Sequence, residues 1–164
     1  MLQLKLDPHH KVPELELLYS VHNKSDTFVT DILYQLKRAH TEKQASWLLK
    51  KYFGTQENIS HQLNDEVLQA MLIVQHWEAQ LHLLQTLPYL TIPKSTAPII
   101  KKHLLSLTEN NNKFIRAWAY NGLHVLQSQY PQYRYDIMPR LKKALLDESP
   151  SVQARIRQLN LFSF

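Results

Sequence analysis

The sequence predicts an all-α protein, and three observations carry that prediction. Only two glycines, Gly54 and Gly122, occur in 164 residues, whereas hairpins and tight strand turns call on residues that accept positive φ. Leu, Gln, Lys and Ala are abundant, and these residues lose little rotamer freedom in a helix. Blocks of sequence also recur at a spacing of about 40 residues, which marks stacked helical units.

Taken in order, residues 1–24 read as a short extended or irregular lead-in followed by a turn of helix. Residues 26–39, DTFVTDILYQLKRA, are apolar at Phe28, Val29, Ile32, Leu33 and Leu36, a helical spacing. Thr41 is the expected cap of a following helix that runs through Phe53. Between Thr55 and Val74 the chain carries extra residues, read as either a longer helix or an added turn.

Repetition becomes clear further on. PIIKKHLL from Pro98 matches PRLKKALL from Pro139 at a displacement of 41 residues. LHLLQTLP from Leu81 matches LHVLQSQYP from Leu123 at 42, and NKFIRA from Asn112 matches SPSVQA from Ser149 at 37. Each unit reads as two helices. The first carries Pro98 or Pro139 and ends in a Leu-Leu pair; the second follows a polar turn at Asn112 or Ser149, whose side chains are expected to cap it. Pro150 sits at a first helical position, where its missing N–H costs nothing. Phe114, Ala117, Trp118, Leu123 and Val125 to Leu126 form an apolar stripe that must be covered by a neighbour.

A unit of about 40 residues with a proline in its first helix, a polar turn and an Arg-containing second helix resembles the HEAT-repeat family. APIIKKHLLSLTENNNKFIRAWAYNGLHVL (97–126) and MPRLKKALLDESPSVQARIRQL (138–159) carry the resemblance. It is specific over residues 76–160 and weakens upstream, where LLKKYF from Leu48 precedes Ile99 by 51 residues. Ser106 stands where that family has Asp or a small residue, and Gln153 where it has Arg. The resemblance implies a right-handed α-α superhelix of about three helix pairs. It would be a single domain over 1–164, with a capping part at 1–40 and repeats at about 41–90, 91–130 and 131–160.

It also implies a partner-binding concave face lined by second helices. Repeat position alone nominates Arg116, Tyr120, Asn121, His124, Gln153 and Arg157 for that face. Arg116 and Trp118 lie two residues apart, so they diverge around a helix. Trp118 is expected in the core, the more so because Trp77 precedes it by 41 residues. Arg116 is open to either role, partner binding or pairing with an acid of the adjacent repeat.

The formal charge is +5, which permits an acidic partner or phosphate. Three lysine pairs, Lys50 with Lys51, Lys101 with Lys102 and Lys142 with Lys143, recur in first helices and are the candidate phosphate-binding residues. The other reading makes them a solvated face. Arg155 and Arg157, with Arg116 and Arg140 as further candidates, form a looser basic set.

With no cysteine, disulfides, thiolate nucleophiles, Cys-ligated zinc and iron–sulfur clusters are excluded. Nine histidines occur, but no HExxH and no His pair four apart on one helical face, so no metal is expected. No phosphate loop or nucleophile elbow is present, and no cofactor is expected. No secretory signal and no membrane-length apolar window are seen. The expectation is a cytoplasmic, non-catalytic scaffold that binds a protein or peptide partner. The apolar end LNLFSF would pack back on the last helix pair or cover a second copy in a homodimer. The alternative is nucleic-acid binding, as in HEAT-like alkylpurine DNA glycosylases, whose aromatic and acidic pocket residues have no counterparts that can be placed on this chain.

Overall fold

A computed structural model describes residues 4–56 and 59–161. It is all-α: nine α-helices and two single 3-10 turns, with no strand among the described residues. No helix among them is long and apolar enough to cross a membrane. The chain divides into two compact units, residues 1–89 and 90–164.

In the first unit, helix α1 (Val12–His22) starts where the Glu14 carboxylate accepts the Lys11 N–H, with a proline in its first turn. It buries Leu15 and Tyr19 and leaves Leu17 and Val21 exposed. Ahead of it, Leu4 is buried and held at both ends of its peptide: its N–H donates to Asp31 (2.9 Å) and its carbonyl accepts from Gln35 Nε2 (3.3 Å). The lead-in expected at residues 1–24 therefore ends at about residue 11, and a full helix follows.

Helix α2 (Phe28–Leu36) buries Phe28, Ile32, Leu33 and Leu36, the expected stripe. Helix α3 (Glu42–Phe53) buries Ala45, Leu48, Leu49 and Phe53 completely. Thr41 precedes α3 but does not cap it, because its hydroxyl donates instead to the Gln35 carbonyl at 2.9 Å. Helix α4 (His61–Ile73) is capped by Ser60, whose oxygen accepts the Leu63 N–H. Helix α5 (Trp77–Thr86) is capped by His76 Nδ1 and runs into a 3-10 turn at Leu87–Tyr89. Helix α3 packs most extensively, against α2 on one side and α5 on the other. A row of ring contacts, Tyr19 to Phe28, Tyr52, Phe53 and Tyr89, spaces centroids 5.7–6.4 Å apart through this core.

In the second unit, helix α6 (Ala97–Leu107) pairs with α7 (Lys113–Gln129), and after a 3-10 turn at Pro131–Tyr133, α8 (Arg134–Asp147) pairs with α9 (Pro150–Arg157). Asn112 caps α7 as expected, its Oδ1 accepting the Phe114 N–H at 2.9 Å. Ser149 does not cap α9; its Oγ is buried without a hydrogen-bond partner. The Ser149 N–H is met by its neighbour Glu148 instead, at 3.1 Å.

The two matched prolines also part company. Pro98 lies in the first turn of α6, where it removes no helical hydrogen bond, whereas Pro139 lies inside α8. There it deprives the carbonyl of Tyr135 of its helical donor. The cause is that α8 starts a turn earlier relative to its proline than α6 does.

Helix pairing follows one pattern in both units. The second helix of a pair packs on the first, and also on the second helix of the next pair: α3 on α5, α7 on α9. Helix α2, which the sequence assigns to a capping part, pairs with α3. The pairs are therefore α2/α3, α4/α5, α6/α7 and α8/α9, one more than expected among the described residues. LNLFSF lies partly outside those residues.

Candidate binding face and polar cavity of the second unit

Position four of α7 puts the Arg116 side chain between two loops. Its Nε and Nη2 grip Glu148 in a two-pronged ion pair (2.9 and 3.1 Å), while Nη1 donates to the carbonyls of Asn110 and Asn111 (2.9 and 3.2 Å). Glu148 leads into α9, so one guanidinium fastens the α6–α7 turn, α7 and the start of α9 together. The hydrogen bond to Glu148 holds the guanidinium charge more firmly still, raising its pKa. Of its two open roles, pairing with an acid of the adjacent helix pair is the one these contacts describe.

Gln153 works in the same joint: Nε2 donates to the Glu148 carbonyl (2.7 Å) and Oε1 accepts from Arg157 Nη2 (3.0 Å). Asn121, expected on the partner face, is buried at 5% exposure, which corrects that assignment. It lies 500° of helical rotation beyond Arg116, off the Arg116–Tyr120–His124 stripe. His124 is half-buried, with its pKa lowered by desolvation, and its Nδ1 lies 3.2 Å from Gln127 Nε2. Arg157 is exposed.

Trp118 is not in the core. It is partly exposed on α7, with the Arg155 guanidinium laid over its ring at 4.2 Å. Phe114, one turn earlier on the same side, is half exposed, and Lys113 Nζ lies 5.4 Å from its ring. Trp77 does not share this setting. It opens α5, is 45% exposed and stacks on His76, because the 41-residue match pairs a first-turn position with one a turn and a half into α7. Phe114, Trp118 and Arg155 thus form an outward face of aromatic rings and guanidinium along α7 and α9.

On another side of α7, Tyr120 lines a cavity of about 300 Å³ with Thr108, Glu109, Arg140, Lys143, Ala144, Asp147 and Glu148. Burial raises the Tyr120 pKa, and the negative charges of Glu148 and Glu109 raise it further.

The lysine pairs do not share one setting. Lys51 pairs with Glu16 and lies near the rings of Tyr19 and Trp47, and Lys101 pairs with Asp136 (2.6 Å) beside Tyr133. Lys50 is partly buried, with its pKa lowered by desolvation. Lys102, Lys142 and Lys143 are exposed. The first pair belongs to residues 1–89 and the other two to residues 90–164. Charge is divided unequally between these segments: residues 90–164 carry eleven Lys and Arg against four Asp and Glu, residues 1–89 eight against ten. Among the described residues, no group of His, Asp or Glu could hold a metal ion.

Comparison with protein-family models, curated proteins and solved structures finds no match.

Sequence reasoning passed over Phe114 and Arg155 as a face and Tyr120 as part of a cavity. A signal for the first was present. Trp118 and Arg155 are 37 residues apart, the displacement that relates Asn112 to Ser149, so stacking the pairs brings them together.

Proposed function

We propose that the chain is a HEAT-like α-solenoid module that binds a protein partner without a catalytic step, holding an acidic peptide or helix against α7 and α9. One observation carries the reading: the outward face of these two helices presents Phe114 and Trp118 beside the Arg155 guanidinium. Aromatic and Arg side chains are the residues that dominate partner binding when desolvated. The excess of basic residues in 90–164 suits an acidic sequence. Pairing of second helix on second helix in each unit supports the solenoid reading. The fixed loops around Arg116 would keep the face preorganised, which limits the ordering cost of association.

The test is affinity capture from nuclease-treated extract of the native host, with the wild type, Trp118→Ala and Arg155→Ala in parallel. A partner retained by the wild type and lost by both variants supports the reading. Retention indifferent to both variants sinks it.

A second reading, nucleic-acid binding, is favoured by the same local charge excess, eleven basic against four acidic residues in 90–164. Binding to duplex DNA or single-stranded RNA that weakens steeply between low and physiological salt would favour it. The ion pairs that occupy Lys51, Lys101 and Arg116 count against it.

A further inference from the structure

The cavity beside Tyr120 gathers exposed charges of both signs, Glu109, Arg140, Lys143 and Asp147, around the half-buried Tyr120 phenol. Three of its lining charges, Lys143, Asp147 and Glu109, have no ion-pair partner among the described residues. Lys143 and Asp147 lie four apart on α8, the spacing at which opposite charges ordinarily pair. Here they stay apart and both line the cavity. Arg140 donates through Nε to Asp136 (3.0 Å) and forms no hydrogen bond through its terminal nitrogens among the described residues. Thr108, 8% exposed, and the Tyr120 phenol supply a polar wall. Glu148, already gripped by Arg116, adds a fixed negative charge near the phenol.

The lining therefore offers cationic donors from Arg140 and Lys143 together with carboxylate acceptors from Glu109 and Asp147, around a volume of about 300 Å³. Such a volume lies at the small end of ligand pockets. A plain anion pairs only with Lys143 and Arg140 and is repelled by the carboxylates, and a plain cation meets the reverse. A ligand bearing both charges pairs with both sets.

We propose that this cavity binds a small zwitterion of the α-amino-acid class, its carboxylate held by Lys143 and Arg140 and its ammonium by Glu109 and Asp147. The site is independent of the partner face, since Tyr120 follows Trp118 by two residues and lies about 200° around α7 from it.

The experiment is ligand-observed NMR of the full chain against the common L-amino acids, followed by titration calorimetry of any binder beside its deaminated acid and its decarboxylated amine. The expected result is saturable binding of at least one amino acid, with both fragments weakened at least tenfold. Lys143→Ala and Asp147→Asn, both on the exposed side of α8, should each weaken it at least tenfold, whereas Lys102→Ala on α6 should leave it unchanged. The proposal is overturned if no amino acid binds, if either fragment binds as tightly as the parent, or if the two cavity variants bind as the wild type does. None of these outcomes bears on retention of a protein partner through Trp118.

Discussion

The joint between α3 and α5 and the joint between α7 and α9 solve one problem in two ways. Each must meet unpaired backbone N–H groups at the start of the next second helix. In the first unit the carboxylate crosses from α3: Glu42, 5% exposed, accepts the N–H groups of Gln75 and His76, just ahead of α5. In the second it is local: Glu148 accepts the N–H of Ser149 and is held by Arg116 from α7. The helix interfaces differ too. Between α3 and α5 a buried polar pair, Ser46 and His82, meets at 2.9 Å, whereas Ile115 and Ala119 of α7 and Val152 and Ile156 of α9 are fully buried apolar side chains. Both pairs of helices bury apolar side chains; the first joint adds buried polar groups and the second an ion pair.

The largest expected difference between them is in acid. Ser46 Oγ lies 2.8 Å from the Lys43 carbonyl and 2.9 Å from His82 Nδ1, which ties the ring to the backbone of α3. Desolvation, reinforced by the positive charge of Lys50, pushes the His82 pKa down to about 4. The unfolded chain takes up a proton at an ordinary histidine pKa, near 6.5. His82 thus favours folding fully above about 6.5, and that contribution drains away as pH falls from about 6.5 to 4. The loss amounts to about 3 kcal/mol over that window. Hydrogen exchange should show α3 and α5 loosening in the window before α7 and α9, and His82→Gln should flatten the dependence; equal loosening of both joints would erase the contrast.

Next in size is Glu42→Ala, which strands two N–H groups and should cost about 2–3 kcal/mol in denaturant unfolding. Arg116→Ala should cost about 1–2 kcal/mol, because Glu148 keeps its bond to Ser149 and stays near water. A double-mutant cycle of Arg116→Ala with Glu148→Ala should return most of that as coupling, and a cycle value near zero would mean the loop carbonyls matter more than the ion pair. Smallest is Lys101→Ala, below about 1 kcal/mol, since its partner Asp136 is well exposed.

Fold class was legible because it rests on composition and periodicity, which are local. Scarcity of glycine and the stripe Phe28, Ile32, Leu33, Leu36 led to the helices that form. The 37-residue displacement was the most faithful ruler: it superposes Ile115 on Val152 and Ala119 on Ile156, all four fully buried. The 41-residue ruler failed at Trp77 because it was anchored on a proline whose place in its helix is not constant. Caps at Thr41 and Ser149 failed for a different reason. A hydroxyl has several acceptors and donors within reach, and for Thr41 the Gln35 carbonyl at the end of the preceding helix takes its hydrogen. Cavities are the least legible feature. Thr108, Tyr120 and Asp147 come from three helices or their ends, and no spacing along the chain announces their meeting.

Arg155 lying on Trp118 has a consequence for behaviour at high concentration. An indole ring open to water on a helix face is a natural site for one molecule to adhere to another. A guanidinium across that ring presents charge at the spot where a second copy would land, and like charges then keep the copies apart. Cation–π attraction at an exposed site is worth only about 0.5–1 kcal/mol, so a carboxylate-bearing partner can draw the guanidinium aside and uncover the ring. The same side chain would keep the free protein dispersed and still yield to an acidic sequence.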